Sequence, residues 1–149
     1  MKGCGLQLHR RHRTCQEVRD SGGVKIPEQV KADVRKRIEA YAAEHFAWSY
    51  ARLDVRFRGQ FCYVDAFTEP DPGGATFGGE TREQRVERLR NTPTHMCRLR
   101  HFHRDQWTCG FYRYSNEKYE LCVPEGAADF SCTPEQGFAT AAGVYLGGG

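Results

Sequence analysis

Between residues 52 and 123 the chain is a succession of short runs that alternate apolar and polar residues, and this period of two is what most restricts its fold. Successive side chains of a strand point to opposite faces, so each such run can bury one face and leave the other wet. In Arg52-Leu-Asp-Val-Arg-Phe-Arg58, Leu53, Val55 and Phe57 share one side and the charged residues the other. Gly59 supplies a turn, and residues 61–67, rich in aromatic and β-branched side chains, complete a hairpin. Residues 96–103 and 107–114 form a second hairpin. A three-residue loop, Arg104-Asp105-Gln106, gathers Cys97, Leu99, Trp107, Cys109 and Phe111 on one face and leaves Arg98, Arg100, Phe102, Thr108, Tyr112 and Tyr114 on the other. A two-residue loop mixes these sets, so the longer loop is expected, because register follows burial. After a turn at 115–118, residues 119–123 make a fifth, shorter strand.

Helical periods bracket the strands. From Pro27 to Phe46, Val30, Val34, Ile38, Tyr41, Ala42 and His45 recur at three and four, leaving Lys31, Asp33, Arg35, Lys36, Glu39 and Glu44 to solvent. Thr133-Pro-Glu-Gln136 is a capping box that opens a second helix, with Phe138, Ala141, Ala142, Tyr145 and Leu146 on its buried side. The order predicts an α+β fold: an antiparallel meander of about five strands with an N-terminal and a C-terminal helix packed on one face.

Two segments stand outside that pattern. Residues 1–24 have neither period and run out through Ser-Gly-Gly, which reads as a flexible basic arm. Residues 25–149 then form a single domain, a size that can bury a core without staples. It is interrupted at 69–94 by a Gly/Pro-rich, charged insertion. Within it, Thr81-Arg-Glu-Gln84 resembles a capping box before a segment with only Val86 and Leu89 on an apolar side, read as disordered or as a loosely docked helix.

Charge divides along the same boundary. Residues 1–25 hold six bases (Lys2, Arg10, Arg11, Arg13, Arg19, Lys25) and two acids (Glu17, Asp20), so the body keeps 16 bases and 17 acids of the total 22 and 19. A balanced body weighs against a strongly nucleic-acid-binding domain. No apolar run approaches the roughly 20 residues of a membrane span. The first residues lack the apolar core of a secretory signal, and a cytoplasmic protein is expected. Seven cysteines (4, 15, 62, 97, 109, 122, 132), odd in number and scattered, suit reduced thiols rather than a disulfide framework.

The runs Arg56-Phe-Arg-Gly-Gln-Phe-Cys-Tyr-Val-Asp-Ala-Phe67, Thr94-His-Met-Cys-Arg-Leu-Arg100, Gly110-Phe-Tyr-Arg-Tyr-Ser-Asn-Glu-Lys-Tyr119 and Thr133-Pro-Glu-Gln136 resemble a family of short bacterial proteins of unassigned function. The resemblance covers residues 26–146 and implies domain limits, but no activity, ligand or catalytic residue.

Chemistry-bearing candidates are few. Cys4, His9, His12 and Cys15 form a complete set of zinc-type ligands, but their spacing is not that of a classical finger and arginines surround them, so a solvated arm is the stronger reading. Cys97, His101 and His103 share a face by period two, with Cys109 across the hairpin; Cys97 and His103 are nevertheless about 20 Å apart along a strand. Cys62 or Cys109 with His101 and Asp65 or Asp105 supplies the ingredients of nucleophilic catalysis without a motif around any of them. Gly73-Gly74 and Gly78-Gly79 lack the context of a phosphate loop, and no cofactor is expected. The most suggestive surface is the outer sheet face. There Arg52, Arg56, Arg58, Arg98 and Arg100 alternate outward with Phe102, Tyr112 and Tyr114, while Asp54 and Glu120 are available to neutralise them. This composition suits a non-enzymatic domain that contacts a protein partner, with single-stranded nucleic acid next and a metal protein or enzyme built on His101, His103 and cysteine third. On this reading Arg56 and Arg100 are exposed, and replacing both by Glu leaves stability nearly intact.

Overall fold

In the computed structural model, which describes residues 21–68 and 78–146, helix α1 (Glu28–His45) starts behind Pro27. Proline's φ of −65° already suits a helix, and its missing N–H has no helical partner to lose. Val34, Ile38 and Ala42 are buried, and Val30 and Tyr41 are half-buried, as the spacing predicts. His45 is not on the buried side: it is exposed, 3.2 Å from Glu44, because the helix ends there and Phe46 turns inward in its place.

Strands β1 (Arg52–Arg58), β2 (Phe61–Phe67), β3 (Thr94–His103), β4 (Gln106–Arg113) and β5 (Lys118–Cys122) lie side by side in that order, all antiparallel. A short β6 (Ser131–Cys132) pairs with the start of β4, Cys132 facing Trp107, beyond the stretch that β5 occupies. Leu53 faces Ala66, Val55 faces Val64 and Phe57 faces Cys62, so the alternation of β1 packs one side against the core. Helix α2 (Arg82–Arg90) follows the expected capping box, Gln84 N to Thr81 Oγ1 at 3.1 Å and Thr81 N to Gln84 Oε1 at 2.9 Å, and buries no residue fully.

Two bulges set the faces. The β3–β4 turn is two residues, Arg104-Asp105, not three; His101 faces Trp107, His103 faces Gln106, and Phe102 is the extra residue. The bulge absorbs the parity that a two-residue turn imposes, so Cys97, Leu99, Trp107, Cys109 and Phe111 still share the inner face. It also sends His101 and His103 to opposite faces. A second irregularity falls between Val64 and Asp65: Val64 faces Cys97 and Asp65 faces His95, leaving Met96 over.

Helix α3 (Pro134–Tyr145) starts with the second capping box, at Thr133 and Gln136. It packs against α1 and onto β3 and β4, so both helices cover one sheet face. Phe138 meets the rings of Tyr41 and Phe46 edge-on at 6.2 and 6.0 Å. The approach is close at Gly137, where a Cβ would stand 2.6 Å from Leu99 Cδ2 and 3.2 Å from Cys109 Cβ. Cys62, Cys97, Cys109 and Cys132 are buried, Cys122 is half-buried, and all five are free thiols. Burial pushes the Cys62 and Cys132 thiols up to about 12.

The sheet also holds the chain ahead of α1. Val24 N donates to His101 O at 2.8 Å, Ile26 N donates to Gly59 O at 3.0 Å, and Ile26 is buried. Gly23, at φ +106°, presses where a Cβ would meet His101 O at 3.0 Å and Arg100 Cγ at 3.1 Å. Among the described residues no helix is long and apolar enough to cross a membrane.

Candidate functional site

The sheet face turned away from α1 and α3 is built by cross-strand pairs that set arginine opposite aromatic rings. Arg52 faces Phe67, Arg56 faces Tyr63 and Arg58 faces Phe61 across β1 and β2; Arg98 faces Tyr63 and Arg100 faces Phe61 across β2 and β3. Tyr112 faces Tyr119 across β4 and β5. The guanidinium of Arg52 sits 3.7 Å over the Phe67 ring, and that of Arg98 sits 4.5 Å from Phe61 and 5.3 Å from Tyr119. Tyr119 joins Tyr63 at 5.8 Å and Tyr112 at 5.0 Å, both edge-to-face, and Tyr112 joins Tyr114 in the same way at 4.8 Å. Burial, and then the charge of Asp65, push the Tyr119 phenol well above its ordinary value.

The face is not uniformly open. Arg52, Arg56, Arg58 and Tyr114 are exposed, whereas Arg98, Phe102 and Tyr112 are half-buried. Arg100 is only 9% exposed and donates through Nη1 to Gly22 O at 2.8 Å, under the chain that runs into α1. The expectation of an exposed, dispensable Arg100 is therefore corrected: it clamps the segment before the first helix. Arg56 is likewise committed, donating through Nη1 to Asp54 at 2.8 Å and to Asp65 at 2.7 Å. Glu120 does not neutralise the face, since it bonds Arg113 and Asn116 at the sheet edge.

Beneath Arg56 lies a pair that strand parity hides. Asp65 is 1% exposed, and its Oδ1 stands 3.1 Å from His95 Nδ1. Both atoms are buried and neither makes a hydrogen bond. His95 donates its backbone N–H to Tyr114 Oη at 2.8 Å, and its ring lies 5.0 Å from Tyr112 and stacks on Tyr114 at 6.3 Å. Counting by twos from Cys97 places His95 on the inner face; the bulge at Met96 moves it outward.

The other candidates do not assemble. His101 is buried inside, its Nδ1 3.0 Å from Val24 O and its ring 4.7 Å from that of Trp107, while His103 is exposed. Asp105 bonds Arg37 at 2.8 Å, and Cys62 and Cys109 lie buried in the core, so neither thiol meets a histidine and acid in the way a nucleophile needs. Among the described residues no three His, Cys, Asp or Glu side chains are placed to hold a metal ion, and Cys4, His9, His12 and Cys15 lie outside the described residues. No known protein family, curated protein or solved structure matches the chain.

Proposed function

We propose that the outer sheet face binds a protein partner that presents acidic side chains. The carrying observation is that the ring faces a stacked base needs are already covered: Arg52 lies over Phe67, and Arg98 over Phe61 and Tyr119. The tyrosines are locked edge-to-face with one another, whereas single-stranded nucleic acid is bound on open, flat rings. Stacking holds the guanidinium groups in place at low entropic cost, which favours bidentate contact with carboxylates. Arg52 and Arg58, exposed and without an ion pair among the described residues, make the β1 side of the face cationic, and arginine with tyrosine is the composition of protein interface anchors.

The test uses Arg52 and Arg58, which are exposed and make no ion pair among the described residues. Replacing both by Glu should weaken binding of a labelled oligo-aspartate peptide about tenfold, read by fluorescence anisotropy, without lowering the melting temperature. A single-stranded oligonucleotide that binds more tightly than the peptide, with affinity falling steeply as salt rises, overturns the reading.

A further inference from the structure

We propose that an extended acidic peptide adds to the sheet as a further strand along the free edge of β1; the proposal rests on the protein-binding reading above and says how the partner's chain is held. Among the described residues β1 pairs with β2 and with no other strand, so alternate residues of its seven turn backbone N–H and C=O groups to an open edge. Its register with β2 runs from Arg52 to Arg58 without a bulge, and the strand contains no proline. Bulges and prolines commonly close an edge to a further strand, and β1 has neither. On the inner side Leu53 and Phe57 are only half-buried, which leaves apolar surface for the side chains of an added strand to cover.

Charge selects the occupant. Arg52, Asp54, Arg56 and Arg58 alternate on the outer side of β1, and Asp54 and Arg56 bond each other at 2.8 Å. That leaves Arg52 and Arg58, at the two ends of the strand, exposed and without an ion pair among the described residues. An added strand sets its own side chains directly opposite these arginines, where opposite charges attract and like charges repel. A second copy of this chain is disfavoured on that ground. Paired antiparallel over all of β1 with its helices on the same side, it sets Arg52 opposite Arg58 at both ends. A peptide with carboxylates at those two places and apolar residues at the inner positions between them satisfies the edge, both arginines and the uncovered parts of Leu53 and Phe57 together. Main-chain hydrogen bonds then supply affinity, and the alternate side chains supply selectivity.

The experiment measures anisotropy of a labelled, end-capped heptapeptide, Glu-Val-Thr-Val-Thr-Val-Glu, against the full chain. The peptide reads the same in both directions, so it offers either strand polarity. Two derivatives carry N-methyl groups, one on the valine amides and the other on the amides of the remaining residues. An added strand turns only one of these sets toward β1, so one derivative should bind about tenfold more weakly and the other within about twofold of the parent. The derivatives leave the protein unchanged, so a loss of folding cannot mimic the result. Arg52→Glu combined with Arg58→Glu should weaken the parent peptide about tenfold. Equal affinities of the two derivatives, or binding of oligo-aspartate without binding of the heptapeptide, overturn the edge proposal and leave the face reading standing. A chain that sediments as a dimer and dissociates as the peptide binds gives the edge to a second copy and overturns the choice of occupant. No binding of either the heptapeptide or oligo-aspartate overturns both.

Discussion

Arg52 and Arg56 sit four residues apart on one strand and one face, yet the same substitution should affect them differently. The Arg52 head is exposed and stacks on Phe67, so Arg52→Ala should change stability by less than about 0.5 kcal/mol. Arg56 bonds the carboxylate of Asp65, which is 1% exposed, and its removal strands a buried acceptor. Arg56→Ala should cost about 1–3 kcal/mol in urea denaturation. In an Asp65→Asn background that cost should shrink, because the stranded group is then neutral; equal costs in both backgrounds mean that the pair is not coupled. Arg100 belongs with Arg56 rather than Arg52, because what buries it is a backbone segment 78 residues earlier in the chain. Nothing in the alternation around Arg98 and Arg100 distinguishes the half-buried cation from the clamped one. The outward direction of these arginines was legible, but their partners were not.

Two helices with the same capping box show what a cap contributes alone and what it contributes under load. Thr81 and Thr133 each accept from the third helical residue, so Thr→Ala removes about 1 kcal/mol of local helix stability at either place. α2 buries no residue, and its melting exposes little, so Thr81→Ala should speed amide exchange over 82–90 and leave the melting temperature unchanged. α3 carries Phe138 into the core and lies on β3 and β4, so Thr133→Ala should lower the melting temperature of the whole fold. The start of each helix could be read from Thr-x-x-Gln because a cap is a local hydrogen-bond device with its own residue types, whereas disorder stood beside a loosely docked helix as a reading of 82–90 because so little of that segment is apolar. The bulges at Met96 and Phe102 have no such signature. An extra residue in a strand is selected by what packs on both sides of the sheet, and that is known only once the strands are paired. One bulge separated the histidines that parity had joined, and the other brought His95 to Asp65.

At the scale of the fold, the described part of the sheet separates two chemistries, the thiols of Cys62, Cys97, Cys109 and Cys132 beneath the helices and the guanidinium groups of Arg52, Arg56, Arg58 and Arg98 on the far side. The thiol side gives the fold a pH dependence whose sign is fixed. Cys62 and Cys132 are held up to about 12 by burial, against about 8.5 in an unfolded chain. Above that ordinary value the unfolded chain has released protons that the folded one keeps, so unfolding is favoured as pH rises. Each thiol contributes a slope of about 1.4 kcal/mol per pH unit until its folded value is reached. Tyr119, raised by burial, acts in the same direction once unfolded tyrosines ionise. The urea midpoint should therefore fall between about pH 8 and 10, and Cys62→Ala should make the fall shallower even where it lowers the starting stability. Iodoacetamide at about pH 8 should label Cys62, Cys97, Cys109 and Cys132 only as fast as the chain opens, because all four thiols are buried away from the reagent. Rapid labelling of these four in the folded protein, or a midpoint flat with pH, means that α1 and α3 do not seal the inner face. The outer face could then no longer be argued from the inner one, because it is the helices' claim on the apolar side that leaves the arginines and His95 facing outward.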